Sequence, residues 1–144
     1  MRLTYCTNVH PAETVEEIAA VLERYAAPVK AAVSPDRAFG LGLRWSDEAA
    51  RRGGELDDAL RERGLYAFTV NGFVHGGFQV DGLKEGVYAP PWGDPERVAY
   101  TLRCADGLAG LMPEGAEGSL STVAGTYRPW GDDPATRGAC AEGL

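Results

Sequence analysis

The chain has 144 residues, 44% of them hydrophobic, enough to bury the core of one ordinary domain and too little for a complete large barrel. Its 14 Lys and Arg stand against 21 Asp and Glu, a formal charge of −7 with no basic cluster, which disfavours nucleic acid as a partner. No apolar stretch approaches the ~20 residues of a membrane helix, no leader-like segment precedes the first strand-like run, and three cysteines without C-x-x-C spacing point to a reducing, cytoplasmic setting without direct membrane insertion.

The first element is a β-type run over 3–10 that ends in the polar residues Asn8 and His10. Thr14 and Glu17 then form a T-x-x-E capping box, and Val15, Ile18, Ala19, Leu22, Tyr25, Ala26 and Val29 come after it at helical spacing. Ser34-Pro35-Asp36 is a turn, and a short second strand spans 39–44 and closes on Arg44. Ser46 caps a second helix, which Gly53-Gly54 interrupts. Its remainder over 55–63 sets Leu56 and Leu60 one turn apart and stops at Gly64.

The third strand, over 65–70, is the most continuous apolar run in the chain, the pattern of a strand buried on both faces. It leads into about twenty residues rich in glycine and proline, with Asp81-Gly82 and Pro90-Pro91, a length that is usually functional or mobile inside a compact α/β unit. Asp94 and Pro95 open a third helix with Val98, Leu102, Ala105, Ala109 and Met112 on one face, ended by Pro113. A fourth strand over 119–123 leads into Tyr127, Arg128 and Trp130, and the residues beyond 130 read as an irregular tail. The alternation predicts an α/β fold with a parallel sheet: a half-barrel made of the first four β/α units, cut off before closure.

Five segments carry a family resemblance: Leu3 to Pro11, Gly64 to Phe73, Lys84 to Tyr88, Pro95 to Thr101, and Ser119 to Val123. Together they resemble the metabolite traffic protein EboE family, a branch of the xylose isomerase-like TIM-barrel superfamily that also holds sugar phosphate isomerases and epimerases. The similarity runs over nearly all of 1–130, which would form the N-terminal half of such a barrel, with 131–144 outside it. It implies a small specialised metabolite as ligand, isomerase- or epimerase-type proton transfer in a full-length parent, and a membrane-bound, prenyltransferase-type pathway partner. The second helix is shortened at Gly53-Gly54 relative to the family pattern, and the tail does not match its fourth helix.

In parallel β/α folds ligands sit at the carboxyl ends of the strands, which makes the strand-end polar residues the candidates. His10 and His75 are candidate acid/base groups, with Asn8 and Asn71 to hydrogen-bond a hydroxyl or carbonyl. The alternatives are a histidine that holds its loop and an Asn71-Gly72 tight turn. Arg44, beside the Ser46 cap, suits an anion or a salt bridge to a loop acid; Lys84 and Glu85 suit substrate contact or a solvated pair. Tyr127 and Trp130 suit an aromatic lid or core packing.

Superfamily members that use a divalent metal draw carboxylates and histidines from several strand ends. Here no acid stands at a strand end, so the chain is expected to offer at most one or two histidine ligands to a metal in the full-length parent. Two functions remain open on these residues: an isomerase-type enzyme, and a non-catalytic carrier of a hydrophobic metabolite whose loop aromatics hold the ligand. A fragment without activity is the third.

Overall fold

The computed structural model describes residues 4–78 and 83–144; Leu3 of the first predicted strand and the Asp81-Gly82 turn lie outside them. Four strands, β1 (Thr4–Cys6), β2 (Phe39–Arg44), β3 (Leu65–Asn71) and β4 (Ser119–Ser121), pair in parallel in the order β1-β2-β3-β4. Consecutive parallel strands joined by right-handed crossovers place every intervening helix on one side of the sheet. Leu41, Leu43, Leu65, Ala67 and Val70 accordingly bury against Ile18, Leu22, Leu60, Leu108 and Leu111 in one core.

The first crossover opens with the predicted capping box: Thr14 accepts from the Glu17 amide while the Glu17 carboxylate accepts from the Thr14 amide. Helix α1 (Val15–Val21) continues through a π turn, Leu22–Ala26, into α2 (Ala27–Val33). The π turn has a local cause. Pro28 has no amide for the carbonyl four residues back, and just upstream the ladder widens so that the Ala27 amide reaches the Leu22 carbonyl.

The second crossover consists of α3 (Asp47–Arg52), capped by Ser46, a 3-10 turn over Gly53–Leu56, and α4 (Asp57–Arg61). Gly53 therefore marks a change of helix type. Its reason is Trp45, fully buried between this turn and α5 (Pro95–Leu111): a Cβ on Gly53 or Gly107 would stand 2.7 or 2.9 Å from the indole ring. Gly64 ends the unit at φ +63°, the left-handed position that glycine takes without steric cost.

Three expectations need correction. β3 is buried on one face only, because Tyr66, Phe68, Thr69 and Asn71 are half-buried on the side without helices; β2 is the strand buried throughout. The buried stripe of α5 is Arg97, Tyr100, Cys104, Leu108 and Leu111, whereas Leu102, Ala105 and Ala109 of the expected face are exposed. An apolar count passes over Arg97 and Tyr100, whose polar ends find main-chain carbonyls inside the fold. Finally, the tail carries a helix, α6 (Pro134–Gly143), started by Asp133, which accepts from the amides of Ala135 and Thr136. Around it Trp92, Val123 and Cys140 form a second small core with Phe73, Tyr88 and Val98.

The glycines yield a paired expectation. Gly107→Ala forces a methyl group into the Trp45 ring and should destabilise the fold by about 1–3 kcal/mol. Gly54→Ala, which meets nothing within 4 Å, should be neutral or stabilise by up to about 1 kcal/mol. Urea unfolding of both variants measures the difference.

Candidate functional site

The strand ends bring together four polar residues on the side of the sheet away from the helices. The Cys6 thiol donates to the Asn8 side-chain oxygen, and Asn71 Nδ2 donates to Cys6 Sγ at 3.2 Å and lies 3.5 Å from the Leu43 carbonyl. Ser121 donates to Asn71 Oδ1 at 3.2 Å, and Ser119 donates to Thr69 Oγ1 at 2.8 Å one row below. Gly42 lies within this cluster, since a Cβ there would meet Thr69 Cγ2 and Cys6 Sγ. Toward the amino ends of the strands the same face becomes aromatic, with Phe68 lying over Gly40 and Tyr66 at 6.0 Å from Phe68.

Local geometry explains how Thr69 joins this face. Leu41 pairs with Ala67 but Gly42 pairs with Thr69, so a bulge at Phe68 turns two successive side chains, Phe68 and Thr69, to the same side. β1 stops at Cys6 rather than running to His10. A 3-10 turn over Thr7–Val9 carries Asn8 back to the thiol, with Thr7 accepting from the Arg44 amide at 3.0 Å.

Both histidine rings turn away from this cluster, toward the helices. His10 stacks on Tyr25 of the π turn, centroid to centroid 4.1 Å, and its Nε2 is 2.6 Å from the Tyr5 hydroxyl. Tyr5 packs on the main core, and burial, with Tyr25 beside it, raises its pKa. A groove of about 260 Å³ between Pro11, Glu17, Val21 and Arg24 flanks the His10–Tyr25 stack. His75 sits above α3 and α5, edge-on to Tyr100 at 5.1 Å, with Nε2 3.4 Å from Glu96 and 3.9 Å from Asp47.

Arg44 is buried and already engaged. Its guanidinium pairs with Glu13 at 2.5 Å, donates to the Ala12 and Gly76 carbonyls, and lies over the Phe78 ring, so it takes the salt-bridge alternative of its two readings. Lys84 and Glu85 are exposed and open a 3-10 helix, Lys84–Tyr88, whose Val87 and Tyr88 pack on the small core; Lys84 holds a φ of +30°. Tyr88, Tyr127 and Trp130 form an aromatic row with centroid spacings of 5.6 and 5.3 Å, and Trp130 stays 41% exposed. These two groups belong to the loops around the rim, whereas the cluster itself is built from β1, β3, β4 and the turn after β1.

Sequence reasoning passed over Arg97. It is fully buried, and its guanidinium donates to the carbonyls of Gly72, Phe73, Ala89 and Pro90, the two ends of the long β3–α5 loop. One turn on, Tyr100 donates to the carbonyls of Trp45 and Val74, and burial raises its pKa. Beneath it burial pushes the Cys104 thiol up to about 11. The available signal was positional: Arg97 and Tyr100 stand three residues apart just inside an Asp-Pro helix start.

His75, one of the two histidines expected as a possible metal ligand, stands beside two carboxylates that the sequence did not place with it. Ligand atoms of Asp47, His75 and Glu96 all lie within 4.8 Å of one another. Asp47 opens α3 just past the end of β2, and Glu96 lies in the first turn of α5, so counting acids at strand ends missed both. The cluster already holds cations: Arg103 donates to both carboxylates, and Arg51 pairs with Asp47 at 2.9 Å. A divalent ion here must displace guanidinium groups, and the donor set fits an ion-pair lock between α3, α5 and the His75 loop better than an open metal site.

Two expectations come from these contacts. Arg97→Ala should cost about 3 kcal/mol in chemical denaturation, because it strips donors from buried carbonyls, and Arg97→Lys should recover less than half, since an ammonium cannot span both loop ends. Burial pushes the Asp47 carboxyl up, but Arg103 and Arg51 outweigh it and hold the group below its ordinary range. A depressed carboxylate stabilises the fold above the unfolded-state pKa and loses that contribution as pH falls through the folded value. Wild type should therefore weaken below about pH 4 more steeply than Asp47→Asn, measured by thermal unfolding across pH.

Comparison with known proteins adds no assignment: no family model, curated protein or solved structure matches this chain.

Proposed function

We propose that the chain is one wall of a small-molecule pocket at the carboxyl ends of parallel strands, built on the plan of a xylose isomerase-like TIM barrel, and that it binds a neutral, hydroxyl- or carbonyl-bearing metabolite. The observation that carries this reading is the uncharged cluster of Cys6, Asn8, Asn71 and Ser121 above an aromatic floor of Tyr66 and Phe68. Amides and hydroxyls hydrogen-bond a neutral polar ligand, and aromatic rings cover its apolar face. A phosphate ester fits less well, because the nearest strand-end guanidinium, Arg44, is bound to Glu13 and two carbonyls.

Binding or carriage is favoured over proton transfer. Both histidines, the natural proton carriers in the isomerase reading, face the helix side, where His10 meets two tyrosines and His75 meets two ion-paired acids. The aromatic row of Tyr88, Tyr127 and Trp130, half-buried except for the exposed Trp130, supplies the apolar contacts that a metabolite traffic protein of the EboE type would use. The isomerase reading keeps a place only for a parent in which further strands bring their own acid and base to this rim.

The test is NMR titration of the 15N-labelled chain with D-xylose and, separately, with D-xylulose 5-phosphate. The side-chain amides of Asn8 and Asn71 should shift with the neutral sugar at least as strongly as with the phosphate ester, and Asn71→Ala should abolish the response. Shifts confined to the His10 groove, or none at these amides with either probe, would overturn the proposal.

A further inference from the structure

All helices that cross between the strands lie on one face of the sheet, yet a wholly parallel sheet is ordinarily covered on both. The other face is not built for water. Charged residues make up 24% of the chain, but apart from Arg44 the described strand side chains on this face, from Cys6 through Phe68 and Thr69 to Asn71 and Ser121, include none. Arg44, which the register sets beside Asn71 at the carboxyl end of this face, is 3% exposed, paired with Glu13 and tied into the loops above. Depletion of charge with retained aromatics is the composition of a buried contact. Ion pairs join helices and loops instead, as Arg52 does with Glu16 and Arg63 with Glu23.

The sheet also ends in two matching edges. Among the described residues, β1 and β4 each pair with a single neighbour and run in the same direction. An occupant of this face must offer parallel strands to both edges and keep its own helices outside. A second copy does both. Rotation by half a turn about an axis along the strands brings β4 of one copy beside β1 of its partner, and repeats the same junction on the opposite side. All free edges disappear in that arrangement, which a closed sheet requires.

We propose that two copies of this chain join through the open faces of their sheets and their β4 and β1 edges to close an eight-stranded parallel barrel, so that each copy supplies a wall across from the other's strand-end cluster. The inference goes beyond the ligand reading, because the association needs no ligand. Each copy carries a formal charge of −7, so screening of the mutual repulsion should tighten the dimer as salt rises.

Sedimentation velocity and light scattering on the full chain, from 1 to 100 µM at low and high salt, decide the matter. The expected species has twice the 15.3 kDa mass of the chain, with the dimer fraction increasing with salt. Ser119→Arg places a charge on an exposed position of the β4 edge and should yield a folded monomer by circular dichroism, whereas Ala105→Arg, on the exposed side of α5, should leave the dimer intact. A wild-type monomer throughout, a dimer split by Ala105→Arg but not by Ser119→Arg, or open-ended larger species would each overturn the proposal. A monomer that still shows the sugar-dependent Asn71 shift would remove the dimer while leaving the pocket in place.

Discussion

A single buried guanidinium holds the strand-end region in shape. Arg97 binds four main-chain carbonyls, two where the chain leaves β3 and two where it returns to α5, and stacks at 5.5 Å on the Tyr100 ring. Without such donors, a loop of this length would carry carbonyls into the interior with nothing to satisfy them. Once it is pinned, Tyr100 can reach the carbonyls of Trp45 and Val74, and the Asp47 amide can reach the His75 carbonyl at 2.8 Å. Arg44 repeats the device at the end of β2, joining the Ala12 carbonyl, the Glu13 carboxylate and the Gly76 carbonyl through one side chain. Two arginines thus fix the loops; Arg44, in register with Asn71, does so from the carboxyl end of the open side, where its charge is paired with Glu13 and the other strand side chains are neutral.

That division explains why strand-end position alone grouped residues that do not act together. Alternation along a strand sends Tyr5 to the helix side and Cys6 to the open side, and each recruits a different neighbour from the turn after β1. His10 goes with Tyr5 and Tyr25. Asn8 goes with Cys6. Asn71, the last residue of β3, stays on the open side with Ser121, whereas His75 lies beyond the strand and the loop carries it back over α3 and α5 to Asp47 and Glu96. Proximity in sequence to a strand end selects the right layer of the molecule; it does not select the face.

Much of the scaffold was legible because it rests on local chemistry. The Thr14–Glu17 box, the Ser46 cap, the Asp94-Pro95 start and the Gly64 stop are each decided by a few adjacent residues, and each stands where the sequence placed it. The bounds of β2 agree for the same reason: a turn precedes it and a cap closes it. The failures share a different cause. The buried stripe of α5 depends on polar side chains finding carbonyls more than twenty residues away, the one-sided burial of β3 depends on where all the crossovers go, and α6 is held by contacts with Trp92 and Val123 that no local pattern announces. An Asp-Pro pair at 133–134, like the one at 94–95, was nevertheless present to be read.

The open face sets the remaining constraint on function. Its lower half is aromatic and close-packed, with Phe68 resting on Gly40, so a ligand cannot penetrate far toward the amino ends of the strands. Its upper half offers short side chains, a thiol, two amides and hydroxyls, already bonded to one another. Such a network exchanges its internal hydrogen bonds for ligand bonds at small net cost, provided that water is excluded while it does so. Exclusion of water is what a single exposed sheet face cannot provide. On the proposed reading, a second layer of strands across from Cys6 and Asn71 is the condition under which these neutral groups would discriminate between ligands, and the pairing of Arg44 with Glu13 leaves no unpaired strand charge on the face, among the described residues, to oppose that layer.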